Sequence, residues 1–318
     1  MNFIKKLKFE TIIGIIIGIV AYSYIWFRIS NINDYLLNPL SYFESPAVPF
    51  FIFILMFLNW LTEAYKWKIL VANIKRISIL KSGYSILIGL AYSVFTPNRV
   101  GELIGRPSVF ETQLRKKVFL SAGIGSLSQL FVTIFMGVSA GFFFIFSDNF
   151  LFEKRGIFIP LLIAAFIIGI LILFIILKPD RISVFIFKIN FFLKFRENFE
   201  FIQTYTVWKM MVTIFLSILK YLIFSFQYYL LLRFFGSPIN YFQAFIGISL
   251  SYLVSSGIPS ITITELGIRG SVSMFFLGIY TDNQSAILAA SSWLWIVNVA
   301  IPAFFGATVL FLRKTQKK

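Results

Sequence analysis

The sequence predicts an all-α polytopic membrane protein, built from six transmembrane helices plus two re-entrant helical hairpins in an inverted-topology repeat. Three observations lead to this class. Of the 318 residues, 58% are apolar and only 13% are charged, about half the charged share of an ordinary soluble domain. Several apolar runs reach the roughly 20 residues that a helix needs to cross a bilayer. One short string holding a glutamate and an arginine occurs twice, about half the chain apart.

The first apolar run, 11–27, follows Lys5, Lys6 and Lys8. A cleaved signal peptide could begin the same way, with Ala21-Tyr22-Ser23 at a cleavage spacing, but the run continues through Ile25, Trp26 and Phe27 and is read as a first span. The second span is 48–65. The next apolar stretch, 82–95, is too short and too broken to cross and runs into Pro97 and a polar cluster, so 82–114 is read as a hairpin. It starts beside Arg76 and Lys81 and ends at Arg115, Lys116 and Lys117, so both of its ends belong to one basic side. The third span is 118–146.

The fourth span, 156–177, leads into a basic, Phe-rich linker at 178–209. There Phe185, Phe187, Phe191 and Phe192 lie among Lys188, Lys194 and Arg196, a composition expected of an amphipathic segment on the cytoplasmic leaflet. The fifth span is 210–232. The second broken stretch, 241–258, runs into Pro259 and opens a segment, 241–280, that begins after Arg233 and ends at Asp282, which makes that segment a hairpin entered from outside. The last span, 285–312, returns the chain to Arg313, Lys314, Lys317 and Lys318. Lys66, Lys68 and Lys75 join the basic side, whereas Arg99, Arg106, Lys220 and Arg269 stay at membrane depth. By the positive-inside rule both termini are cytoplasmic and the chain lies in the cytoplasmic membrane.

The two hairpins carry Glu102-Leu103-x-x-Arg106-x-Ser108-Val109 and Glu265-Leu266-x-x-Arg269-x-Ser271-Val272. Each half, 1–147 and 148–318, then reads as span, span, hairpin, span, with the hairpins opening to opposite sides. Transporters built from inverted repeats place their substrate near the midplane, where broken helices meet.

The charge of +16 suits an anionic membrane surface, and with no basic stripe on a polar domain nucleic acid is not expected as a partner. With no Cys and no His, neither a metal nor a cofactor is expected, nor a catalytic thiolate or imidazole. Charges at membrane depth need partners or water. Glu102 with Arg106, and Glu265 with Arg269, stand at i and i+4 with the acid first, the better orientation for a helical pair. They read either as structural salt bridges or as the frame of a hydrated anion site.

Arg99 has only Glu102 at helical spacing, and Arg106 already matches it, so one positive charge is expected to be surplus at the first tip. Its planar fork suits phosphate or carboxylate. Asn98 stands beside it. Lys220, within the fifth span, is read as a second substrate contact or as the partner of an acid such as Glu102. Ser93, Thr96, Ser255, Ser256, Ser260, Thr262 and Thr264 either line a polar path or bond back to their own helices. Asn59, Gln129, Gln227 and Asn298 are expected to bond between helices.

Three stretches resemble the lysylphosphatidylglycerol synthase transmembrane family, a flippase-like module. They are Lys66-Trp67-Lys68-Ile69-Leu70, Pro97-Asn98-Arg99-Val100-Gly101-Glu102-x-x-x-Arg106, and Pro259 through Leu266-Gly267-Ile268-Arg269. The second half departs from the family's pattern: the acid Glu265 stands before the glycine turn rather than after the arginine. The resemblance implies a lipid translocase, and no soluble aminoacyl-transferase domain is expected to accompany the membrane module.

The leading functional expectation is therefore a transporter moving an anionic or phosphate-bearing lipid, an anionic phospholipid or a polyprenyl phosphate. Arg99, Arg106 and Arg269 would hold the headgroup, and Asn98, Glu102, Lys220 and Glu265 would complete the substrate-binding set. The alternatives are a membrane-embedded transferase or phosphatase on polyprenyl phosphates and a non-transporting scaffold for lipid-modifying enzymes. Homo-oligomerisation is left open.

Overall fold

The structure, a computed structural model, describes residues 23, 47–94, 96–146, 155–178 and 201–315. Apart from residue 23, the expected first span lies outside the described residues, as does the Phe-rich part of the linker. Within them every regular element is helical: α1 (Ala47–Val71), α2 (Ile79–Ser93), α3 (Gly101–Gly105), α4 (Arg115–Ile145), α5 (Arg155–Leu177), α6 (Val207–Phe234), α7 (Tyr241–Gly257), α8 (Thr262–Leu277), α9 (Gln284–Trp295) and α10 (Ile301–Thr315). Five stretches are long and apolar enough to cross a membrane: Ala47–Val71, Thr112–Ile145, Phe158–Leu177, Val207–Phe234 and Gln284–Leu312. They coincide with five of the six expected spans.

Local chemistry sets the boundaries. The side chains of Ser78, Thr206 and Asn283 accept from the first turns of α2, α6 and α9, and Asn240 forms a capping box with Gln243 at the start of α7. Past α6, Gly236 takes φ 81°, and the next N–H, from Ser237, bonds back to the Leu232 carbonyl. This left-handed stop suits glycine. Between α9 and α10 a π turn, Ile296–Ala300, carries Asn298. Large apolar side chains such as Phe57, Phe142, Leu171, Phe215 and Phe304 face outward, as a lipid solvent allows.

The long helices α1 and α6 run antiparallel. Lys66 meets Ser217, Asn59 meets the Lys220 carbonyl and Gln227 meets the Ile52 carbonyl in that order along the pair. The two hairpins lie at opposite ends of this pair. Near the start of α6, Lys209 bonds to Asn73, while Lys75 and Glu111 bring the two ends of the first hairpin together. The hydrogen bond from Lys75 holds the exposed Glu111 carboxyl below its usual range. Near the end of α6, Asn283 bonds to the Gly236 carbonyl and so closes the base of the second hairpin.

The hairpins differ in their returning limbs. In the second, α8 is a full helix. In the first, α3 gives way to 3-10 turns at Arg106–Val109 and Thr112–Leu114, because Pro107 cannot donate to a helical ladder and its ring crowds the preceding turn. Close backbone approach compacts this limb: a Cβ on Gly101 would meet the Tyr92 carbonyl, and one on Gly105 would meet Gly89. Neighbours also correspond between halves. Helix α2 packs on α10 and α7 on α4, while α1 packs on α2 and α6 on α7. One expectation is corrected here. Lys66 does not belong to the basic surface; it lies inside the long helix α1, 2% exposed, because the helix continues to Val71 and turns this side chain toward α6.

Candidate functional site

The tips of the two hairpins touch. The Asn98 N–H donates to the Ser260 carbonyl at 2.8 Å, and the Ser260 N–H donates to Asn98 Oδ1 at 3.0 Å. Beside this junction, Arg99 Nε donates to Glu265 Oε2 at 3.3 Å, with a Glu102 oxygen 4.0 Å from its Nη1. The expectation of an unmatched Arg99 is corrected accordingly: its partner comes from the other hairpin, at a sequence separation that no helical spacing encodes.

Both expected i, i+4 pairs form. Arg106 Nη2 reaches Glu102 at 2.7 Å, and Arg269 Nη2 contacts Glu265. The acids occupy the first turns of α3 and α8, where the helix dipole favours negative charge. Each arginine also rests on an aromatic ring. The Arg106 guanidinium lies 5.4 Å from the Trp67 ring and that of Arg269 lies 5.0 Å from Tyr252, distances suited to cation–π attraction. Trp67 is itself fixed by its N–H bond to Ser85, and the Ser85 hydroxyl bonds on to the Arg106 carbonyl.

Sequence reasoning missed the residue at the centre. Glu63 of α1 accepts from Arg106 Nη1 at 2.9 Å and lies 2.8 Å from both Lys66 and Lys220. The partner of Lys220 is thus Glu63 and not Glu102. An acid inside an otherwise apolar run, three residues before a lysine, was the available signal. Among the described residues of the cluster, five cations (Lys66, Arg99, Arg106, Lys220, Arg269) face three carboxylates (Glu63, Glu102, Glu265), which leaves two positive charges in surplus. Ionised groups this deep are costly unless geometry and hydrogen bonds compensate them.

The charges frame a cavity of about 110 Å³, lined by Glu63, Arg99, Glu102, Arg106, Lys220 and Arg269 together with Asn59, Asn298, Trp60 and Phe224. That volume holds several water molecules. Two guanidinium nitrogens, Arg99 Nη2 and Arg106 Nε, are buried without a hydrogen-bond partner. The seven expected site residues therefore lie in one cluster: Arg99, Glu102, Arg106, Lys220 and Arg269 line the cavity, Glu265 pairs with Arg99 and Arg269 beside it, and Asn98 forms the junction between the tips. Most expected polar-path residues bond locally instead: Ser93, Thr96, Ser256 and Thr264 each donate to a carbonyl three residues back. Gln227 and Asn298 bond between helices as expected, at 2.8 Å to each other.

These features define an integral, multi-pass membrane protein that keeps a net-positive charge cluster in its interior. The family described as Lysylphosphatidylglycerol synthase TM region matches residues 11–306, and the chain belongs to that family. No curated protein and no solved structure matches the chain.

Proposed function

We propose that the chain is a lipid translocase, a transporter rather than an enzyme, that moves an anionic or phosphate-bearing lipid between the leaflets of the cytoplasmic membrane. The observation that carries this reading is the meeting of two hairpin tips, reached from opposite ends of α6, at a buried cavity with surplus positive charge. The joined base of each hairpin supports re-entrance from opposite faces, and the exchangeable packing of α2 on α10 and α7 on α4 supports an inverted repeat. The basic side, with Arg76, Lys81, Arg115, Lys116 and Lys117, is assigned to the cytoplasm. The family's name supports a lipid as cargo.

In the cycle, Arg99, Arg106 and Arg269 bind the headgroup and the tails remain in the bilayer. Glu102 and Glu265 retake the arginines on release, as one repeat rocks against the other. Lys220 and Glu63 tie the site to the α1–α6 pair. The test is headgroup translocation in proteoliposomes holding the purified chain, scored against protein-free vesicles and against the Arg99→Ala variant. Lipid movement lost in the variant supports the reading, and movement no faster than in protein-free vesicles removes it.

A further inference from the structure

We propose that the charged cavity takes a terminal phosphoryl dianion, the headgroup of a phosphomonoester lipid, in preference to a phosphodiester or an aminoacylated headgroup. The inference rests on the lipid-binding reading above and deepens it by naming the substrate class. Three observations carry it.

The first is charge. Five cations against three carboxylates leave a surplus of two. A phosphomonoester at neutral pH carries nearly two negative charges, with its second ionisation near 6. A phosphodiester carries one and leaves half the surplus standing. A headgroup bearing an ammonium adds a cation to a site that already has too many, and each uncompensated buried charge is costly.

The second is the donor set. Arg106, whose side chain is 8% exposed, lines the cavity and keeps a buried Nε without a partner, and Arg99 keeps a buried Nη2 in the same state. A guanidinium offers its donors in a fork that fits the oxygens of one phosphoryl group. A terminal phosphoryl presents three such oxygens to this site, whereas a diester has one of its oxygens esterified away.

The third is size. About 110 Å³ matches the few heavy atoms of a phosphoryl group, so the charged part of the cavity is filled by that group alone and the rest of the lipid lies outside it. Apolar Ile86, Leu90, Phe224 and Val299 complete the lining, which suits the first carbons of the attached chain.

The test is a set of binding titrations on the full-length purified chain in detergent, with dodecyl phosphate, dilauroylphosphatidylglycerol, its lysylated form and inorganic phosphate as probes. At pH 8 dodecyl phosphate should bind about tenfold or more tightly than either phosphodiester lipid. At pH 5 that advantage should shrink toward unity as the probe loses its second charge. The sign is diagnostic. The charged groups lining the cavity are Glu63 from α1, Arg99, Glu102 and Arg106 from the first hairpin, Lys220 from α6 and Arg269 from α8, and directly behind them stand Lys66 of α1, Tyr252 of α7 and Glu265 of α8. Protonating any of the glutamates adds positive charge and would tighten an anion of constant charge.

Lys220→Met removes one surplus charge and should reduce the ratio of dodecyl phosphate affinity to dilauroylphosphatidylglycerol affinity; the wild-type pH series carries the test if that variant does not fold. Equal or tighter binding of either phosphodiester, or dodecyl phosphate binding that strengthens on acidification, overturns the proposal. Inorganic phosphate binding as tightly as dodecyl phosphate would assign the dianion to the aqueous phase and overturn a lipid carrier. A chain that shows the expected preference yet moves no lipid keeps this assignment and loses the translocase reading, and the converse result separates them the other way.

Discussion

Asn98 and Ser260, one from each hairpin, exchange two hydrogen bonds, and no other backbone contact of this kind joins the tips among the described residues. Asn98 and Arg99 take φ 48° and 57° to make that junction. Asparagine enters the left-handed region more readily than most residues, but two consecutive non-glycine residues there are uncommon. The backbone bend is what turns Arg99 toward Glu265 in the opposite hairpin.

Substitution at Asn98 should therefore separate backbone from side chain. Asn98→Gly keeps access to positive φ and loses one acceptor, whereas Asn98→Val adds a β-branched strain of about 1–2 kcal/mol. Thermal unfolding in detergent should place valine clearly below glycine. Equal melting temperatures would mean that the bend is not maintained.

Arg99→Ala should cost more activity than stability. Glu265 retains Arg269 and Glu102 retains Arg106, so neither carboxylate is left alone. Arg106→Ala leaves Glu102 only its longer 4.0 Å contact with Arg99 and takes one of three cations from Glu63, and removing one partner from a buried pair typically costs about 3–5 kcal/mol. Unfolding curves of the two variants should differ by a large fraction of that amount. If Arg99→Ala unfolds as readily as Arg106→Ala, the arginine is structural.

Glu265→Gln should strengthen binding of a phosphate-bearing lipid and slow its transport. Arg269 loses its counter-charge and Arg99 the nearer of its two, which makes an incoming phosphate the better partner and its release the harder step. Lipid affinity and proteoliposome transport, measured together, should move in opposite directions. Unchanged values of both would show that Glu265 takes no part in the cycle.

Re-entrance of the first hairpin is open to labelling, because the chain has no cysteine of its own. Lys81→Cys and Gln113→Cys are suitable positions, since both residues are exposed, whereas Ser82 is fully buried against the Ala64 carbonyl. An impermeant thiol reagent should reach both from the same face of the membrane. Reaction from opposite faces would make the hairpin a span and remove the inverted repeat.

Short-range features of the site were legible in the sequence. The two Glu-x-x-x-Arg pairs form because i, i+4 spacing on a helix dictates their contact, and five apolar runs are helices because length and composition suffice to define them. The contacts that assemble the site are of another kind. Arg99 to Glu265, Lys220 to Glu63 and Asn98 to Ser260 each join residues more than a hundred positions apart, and only the antiparallel packing of α1 on α6 and the meeting of the hairpins brings them together. Glu63 was hidden because one carboxylate hardly changes the hydropathy of a 25-residue helix. Lys66 was misplaced because a charge-based reading of orientation sends lysines near a span's end to the surface, and here a carboxylate one turn earlier holds it inside.

The most direct measurement is lipid translocation in proteoliposomes carrying the Asn98→Cys/Ser260→Cys double variant, followed in the same vesicles before and after reduction. Oxidation should join the hairpin tips covalently and stop headgroup movement, and reduction should restore it. Equal movement in the oxidised and reduced states, with the cross-link verified, would contradict translocation through the hairpin junction.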